Sequence, residues 1–101
     1  MNQNLTLDAI FESFAQNPRD VITRQGGVWF YAYVYENSIY VEAGRSHINY
    51  SKITMRRRLD CEKFEMIYDM YQNGTPRSKI RDITLNSSYW FGIFSDMLNS
   101  N

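Results

Sequence analysis

The side chains that could do chemistry are few. His47 stands in a predicted loop, and the sequence shows no partner that would tune its pKa for acid–base catalysis. Cys61 begins a predicted helix, where a thiol can be activated, but it also belongs to that helix's apolar stripe and is better explained as a small buried residue. Helix capping and the helix dipole account for Asp60 and Glu62. We therefore predict no catalytic site, and no pairing among these residues and Asp69 inside a cleft.

The same shortage argues against metals and cofactors. One histidine and one cysteine cannot build the usual kind of zinc site. A single cysteine is typical of a reducing compartment. No run of about 18 apolar residues predicts a membrane span, and residues 1–4 lack the basic and apolar regions of a signal peptide. The sequence predicts a cytoplasmic protein with no metal, no cofactor and no membrane contact.

The first half of the chain predicts a helix followed by an antiparallel sheet. Apolar residues at helical spacing follow Thr6, which can cap the first helix. Strands are expected over residues 28–35 and 38–43, joined by a turn in which Asn37 tolerates the left-handed conformation. Residues 51–59 also alternate between apolar and polar, so we predict a further strand there, at an edge of the sheet.

The second half predicts three helices. Asp60 can cap the first of them and Gly74 can end it. Thr75 followed by Pro76 predicts the start of a short second helix. The last helix carries an apolar stripe centred on Trp90, which should be buried. With the first half, this gives an α+β fold: an N-terminal helix, a three- to four-stranded antiparallel sheet and three C-terminal helices.

Composition indicates one globular domain over residues 1–101 with an excess of aromatic side chains. The chain has eight Tyr, six Phe and two Trp, and its formal net charge is zero.

Alternation along residues 28–35 places one apolar face against the core and gives the other face Trp29, Tyr31, Tyr33 and Tyr35. Nucleic-acid bases could stack on such a face, as they do in RRM domains. The RRM signature and order of elements are absent, so packing beneath a helix or a homodimer interface is the favoured explanation.

Residues 75–83, a short turn and residues 87–90 together resemble a helix-turn-helix, in which the second helix of the pair enters the major groove of DNA. The resemblance implies base contacts from Ser87, Ser88 and Tyr89 and phosphate contacts from Arg77, Lys79 and Arg81, to which Arg56 and Arg58 could add. Arg81 stands where the motif usually has a small residue, and the turn has no glycine. A plain helical hairpin covering the sheet explains the same pattern, and we weight it above the motif.

Three short segments resemble the small proteins encoded in integron gene cassettes. They are Ile39-Tyr40-Val41-Glu42, Arg57-Arg58-Leu59 and Tyr89-Trp90-Phe91-Gly92-Ile93-Phe94. The resemblance implies an origin in a bacterial mobile element and an accessory role. It carries over no catalytic or binding residue.

Two functions follow as expectations. The first is an accessory binding protein that contacts DNA through its C-terminal helices, and it requires one continuous basic surface formed by Arg56, Arg58, Arg77, Lys79 and Arg81. The alternative is a homo-oligomeric interaction module that binds a protein or a small molecule through the aromatic sheet face. An enzyme is the least favoured class, because no constellation of side chains supports it.

Overall fold

The computed structural model describes residues 5–24 and 26–99, so residues 1–4, on which the signal-peptide argument rests, lie outside the described part. The described residues form a four-stranded antiparallel sheet in the order β1-β2-β3-β4. The strands are β1 (Arg19–Ile22), β2 (Trp29–Tyr35), β3 (Ser38–Ala43) and β4 (Arg57–Arg58). The helices are α1 (Leu7–Gln16), α2 (Phe64–Gln72), α3 (Arg77–Ile80) and α4 (Ser87–Leu98). The predicted α+β architecture is confirmed.

The β2–β3 hairpin forms as predicted. Tyr35 lies opposite Ser38, and the two residues between them, Glu36 and Asn37, have φ values of 47° and 62°. Positive φ at both central positions defines the two-residue turn whose twist matches that of antiparallel strands. Phe30 and Ala32 are buried on the face of the sheet that packs against the helices. The alternation in β2 therefore assigned the two faces of the sheet correctly.

The predicted strand over residues 51–59 is wrong for most of its length. The Ser51 N–H donates to the carbonyl oxygen of Trp29, the first residue of β2, at 2.7 Å. Arg57 instead pairs with Val41 of β3. Because β3 lies between β2 and β4, residues 52–56 connect one side of β3 to the other, and β4 has only two residues. Met55, one of the apolar residues of that alternation, is 80% exposed.

The C-terminal helices form close to the predicted positions, with two corrections at their starts. Asp60 makes no side-chain capping bond to the 3₁₀ turn that follows it. Its Oδ1 accepts a hydrogen bond from Trp90 Nε1 at 2.8 Å instead. The α3 helix begins at Arg77 rather than at Pro76, and it has a single turn. Gly74, at φ 69°, follows the end of α2 as predicted.

Helix α4 is the centre of the core. Trp90 is fully buried, as predicted, and so are Ile93 and Phe94. A Cβ atom at Gly92 would lie 2.9 Å from the Ile22 carbonyl oxygen and 3.0 Å from a ring carbon of Phe30. The helix backbone therefore approaches β1 and β2 more closely than a side chain would allow.

Among the described residues, no helix is long and apolar enough to cross a membrane.

Candidate functional site

The sheet has an outer face that none of the described helices covers. Phe14 of α1, Phe64 of α2 and Trp90 of α4 all belong to the core cluster that contains Phe30, on the inner side of β2. The opposite side carries Trp29, Tyr31, Tyr33 and Tyr35 of β2 with Tyr40 and Glu42 of β3, and we call these six residues the outer face. The expectation that the aromatic residues pack beneath a helix is therefore wrong.

The tyrosines of the outer face form one continuous layer of rings. The Tyr31 and Tyr33 ring centroids are 5.7 Å apart, and those of Tyr33 and Tyr40 are 5.9 Å apart with a 22° angle between planes. Tyr35 lies 6.2 Å from Tyr40 at the end of the layer. Tyr35 is 47% exposed, and the other rings are half-buried by one another. Sequence alternation identified the β2 members. The hairpin register, which pairs Tyr40 with Tyr33, adds the fifth aromatic residue.

Two arginines from loops lie on this layer of rings. The guanidinium carbon of Arg45 is 3.9 Å from the centroid of Tyr31. The guanidinium carbon of Arg56 is 4.4 Å from the centroid of Tyr40 and 5.2 Å from that of Tyr35. Cations in this position are attracted by the ring quadrupole. Arg58 of β4 pairs with Tyr40 in the sheet register and adds a third guanidinium at the β4 border.

The acidic side chains on this side of the sheet have internal partners. The Tyr33 hydroxyl donates to Glu42 Oε2 at 2.5 Å, and Arg45 approaches the other carboxylate oxygen at 3.4 Å. The bond from Tyr33 lowers the pKa of Glu42, whereas burial, followed by that same bond, raises the pKa of Tyr33. Glu42 therefore stays ionised and fixes a tyrosine, while Arg56 and Arg58 remain exposed.

His47 has a partner that the sequence did not reveal. Its Nδ1 lies 2.9 Å from Asp20 Oδ2, and its ring stacks on Trp29 with centroids 3.4 Å apart. Asp20, whose side chain is 3% exposed, also accepts the backbone N–H groups of Arg45 and Ser46. Burial alone would raise the pKa of Asp20, but the bonds from His47 and these N–H groups outweigh burial and lower it. These hydrogen bonds to Asp20 therefore fix the position of the loop that carries Arg45.

The residues that the helix-turn-helix resemblance assigned to bases are largely occupied within the fold. Ser87 is 3% exposed, so its side chain is not available to a groove. Ser88 Oγ accepts a hydrogen bond from an Nη atom of Arg77. Tyr89 packs edge-on against Phe30 with ring centroids 5.1 Å apart. At the start of α4, Ser87 is thus buried, and Ser88 and Tyr89 are half-buried against neighbouring side chains.

The basic residues do not form the single surface that duplex DNA binding requires. Arg56 lies on the outer face, whereas Arg77 contacts α4 on the other side of the sheet. Arg57 also faces the helices, with its guanidinium carbon 5.9 Å from the Tyr89 ring centroid. Lys79 and Arg81 are exposed next to Arg77. The set divides into two groups, one on each side of the sheet.

The remaining candidates for catalysis have structural partners. Asp60 accepts bonds from Trp90 and Asn86; burial alone would raise its pKa, but its hydrogen bonds, including those two, lower it. Burial raises the pKa of the Cys61 thiol. Glu62 lies 3.8 Å from Arg58. Within residues 5–24 and 26–99, no group of three or more His, Cys, Asp and Glu side chains is placed to hold a metal ion.

Comparisons with protein-family models, with curated proteins and with solved structures found no significant match to this chain. The resemblance to integron cassette proteins therefore stays a prediction.

Proposed function

We propose that this protein is a binding module that holds single-stranded nucleic acid on its outer face. The observation that carries the proposal is the layer of partly exposed tyrosine rings, with the guanidinium groups of Arg45 and Arg56 lying on it. Proteins that bind single strands combine aromatic platforms for the bases with basic groups that follow the backbone. Both components occur together on this side of the sheet.

The spacing of the rings suits successive bases. Two residues of strand advance by about 6.7 Å, so Tyr31, Tyr33 and Tyr35 present separate rings along β2. Stacking tolerates any sequence because every base has a π-face. Glu42 is ion-paired to Arg45, and Arg58 lies 3.8 Å from Glu62, so the exposed guanidinium of Arg56 is the group on this side best placed to meet a phosphate. We therefore expect modest sequence preference and marked salt dependence.

Duplex binding through α3 and α4 has less support. A recognition helix needs an exposed face that fits the major groove. Ser87, Trp90 and Phe91 of α4 are buried, and the helix packs tightly on the sheet at Gly92. The helical-hairpin explanation that we weighted above the motif agrees with this packing.

Self-association through the outer face is the second candidate, because it would bury the same rings. A twofold interface places one surface patch against its own copy. The interface would then contain Arg45, Arg56 and Arg58 from both copies. Repulsion among these like charges favours a polyanion over a second copy as the occupant of the face.

The experiment is fluorescence anisotropy with a labelled oligothymidylate and a labelled oligouridylate, each compared with a duplex of the same length. We expect both single strands to bind more tightly than duplex. The logarithm of affinity should fall with the logarithm of salt concentration by about 0.7 for each phosphate contact. Arg56→Gln should make this slope shallower by about one contact. The matched control, Arg81→Gln, removes an exposed charge from the basic group on the other side of the sheet and should leave the slope unchanged.

Stacking is tested by Tyr35→Ala, which removes the most exposed ring of the outer face without opening the core. Loss of one stacked base costs about 1–3 kcal/mol, or about fivefold to 150-fold in affinity. Leu85→Ala, which removes an exposed side chain in the turn before α4, should have no effect. Equal losses for both variants, or no binding of single strands at low salt, would refute the proposal. A concentration-dependent dimer that Tyr35→Ala dissociates would favour the second candidate.

A further inference from the structure

A cavity on the helix side of the sheet is separate from the outer face. It has a volume of about 360 Å³ and lies between the β1–β2 turn, the α2–α3 connection and α4. Ligand sites usually have volumes of about 300–1,000 Å³, so the cavity can hold a small molecule. None of the residues that line it belongs to the outer face, so its role is independent of the function proposed above.

The charge of the cavity lining is positive. Arg24 and Arg77 both line it, and none of the described lining residues is acidic. Arg77 is half-buried, and its guanidinium is oriented by a hydrogen bond to Ser88 Oγ. A guanidinium that the fold already orients binds carboxylate or phosphate with less loss of side-chain entropy than a free one. The cavity therefore favours an anionic group near Arg77.

Two hydroxyl groups add donors to the same lining. Thr23 Oγ1 accepts the Val28 N–H at 3.1 Å, and Ser88 Oγ accepts from Arg77. A hydroxyl oxygen that already accepts a hydrogen bond still has its own O–H to donate. Both groups therefore still have an O–H that can be donated to a ligand, which suits an anion.

The rest of the lining is aromatic. Tyr71 and Phe91 pack edge-to-face with ring centroids 5.0 Å apart. The guanidinium carbon of Arg24, an exposed residue of the lining, is 5.7 Å from the centroid of Tyr71. Such walls favour a flat, apolar ring over an aliphatic or strongly hydrated body. The polar and the apolar parts of the lining thus prefer different parts of one ligand.

We propose that this cavity is a binding site for a small organic anion in which a carboxylate or a phosphate is attached to a flat ring. Arg77, Ser88 and Thr23 hold the anionic group, and Phe91 and Tyr71 pack on the ring. The site explains why Arg77 and Ser88, which the sequence suggested as DNA contacts, face one another inside the fold.

The experiment follows amide chemical shifts of the full chain during titration with phenyl phosphate, benzoate, inorganic phosphate and benzyl alcohol. We expect saturable shifts at Thr23, Ser88 and Phe91 with phenyl phosphate or benzoate, and the stronger of the two identifies the anionic group. Inorganic phosphate lacks the ring and benzyl alcohol lacks the charge, so each should bind at least tenfold more weakly.

Variants test the assignment of charge. Arg77→Met should weaken phenyl phosphate binding at least tenfold, and Arg24→Gln, at an exposed position, should weaken it less. Lys79→Gln is the matched control, since Lys79 is exposed nearby and does not line the cavity. If Arg77→Met does not fold, the proposal is tested by whether Arg24→Gln weakens phenyl phosphate binding more than Lys79→Gln does. No saturable shift with either aromatic anion, or equal weakening by Arg24→Gln and Lys79→Gln, would overturn the proposal.

Discussion

Replacement of Gly92 by alanine tests the close packing of α4 on the sheet. A glycine-to-alanine change inside a helix normally stabilises it by about 1 kcal/mol. Here the new methyl group would lie 2.9 Å from the Ile22 carbonyl oxygen and 3.0 Å from the Phe30 ring, which is fully buried. Overpacking of this kind costs about 1–3 kcal/mol. The two effects sum to a net destabilisation of up to about 2 kcal/mol, so the sign of the change is informative.

The assay is urea denaturation followed by tryptophan fluorescence, with Ser95→Ala as a control for alanine at a half-buried position on the same helix. Gly92→Ala should lower the free energy of unfolding, and Gly92→Leu should lower it further because the added volume is larger. If Gly92→Ala instead stabilised the protein by about 1 kcal/mol, the value for an uncrowded helix, the close packing of α4 on β1 and β2 would be refuted. That result would also return α4 to consideration as an exposed recognition helix.

Three further predictions concern the core and its ionisable groups. Trp90→Ala should cost about 3–5 kcal/mol in urea denaturation, and an unchanged midpoint would show that the stripe of α4 is surface. The folded pKa of Asp60 lies below its ordinary value, so the stability it contributes is complete above about pH 4 and is lost as pH falls through the folded value. At pH 7 the free energy of unfolding of Asp60→Asn should therefore be lower than that of the unsubstituted protein. Below pH 4 it should change less steeply with pH. Parallel curves of free energy against pH for the two proteins would contradict this prediction. Because burial raises the pKa of Cys61, iodoacetamide at pH 7 should alkylate the native thiol more slowly than the urea-unfolded one, and equal rates would count against burial.

Local patterns were sufficient for the hairpin and the core. Period-two alternation placed Phe30 inside and Tyr31 outside, and the register of β2 and β3 agrees. Asn37 occupies the left-handed position that a two-residue turn requires. Helical spacing likewise identified Trp90 as a core residue. In each case neighbouring residues carry the information, so no knowledge of distant contacts is needed.

Long-range contacts decided what the sequence could not predict. The strand over residues 51–59 fails because Ser51 bonds to Trp29, a contact that no local pattern reveals. Asp60 was expected to cap its own helix, but its carboxylate bonds to Trp90, thirty positions further along the chain. The same limit applies to the candidate site: alternation gave the rings of β2, whereas Arg45 and Arg56 reach them from loops whose paths depend on the whole fold.

The most direct test of the proposed function is the position of amide chemical-shift changes when a short oligothymidylate is added to the full chain. The outer-face account predicts that the largest changes fall in β2 and β3 and at Arg45 and Arg56, with residues 77–89 nearly unchanged. Changes concentrated at Arg77, Lys79, Arg81 and the start of α4 would contradict it and favour the helix-turn-helix.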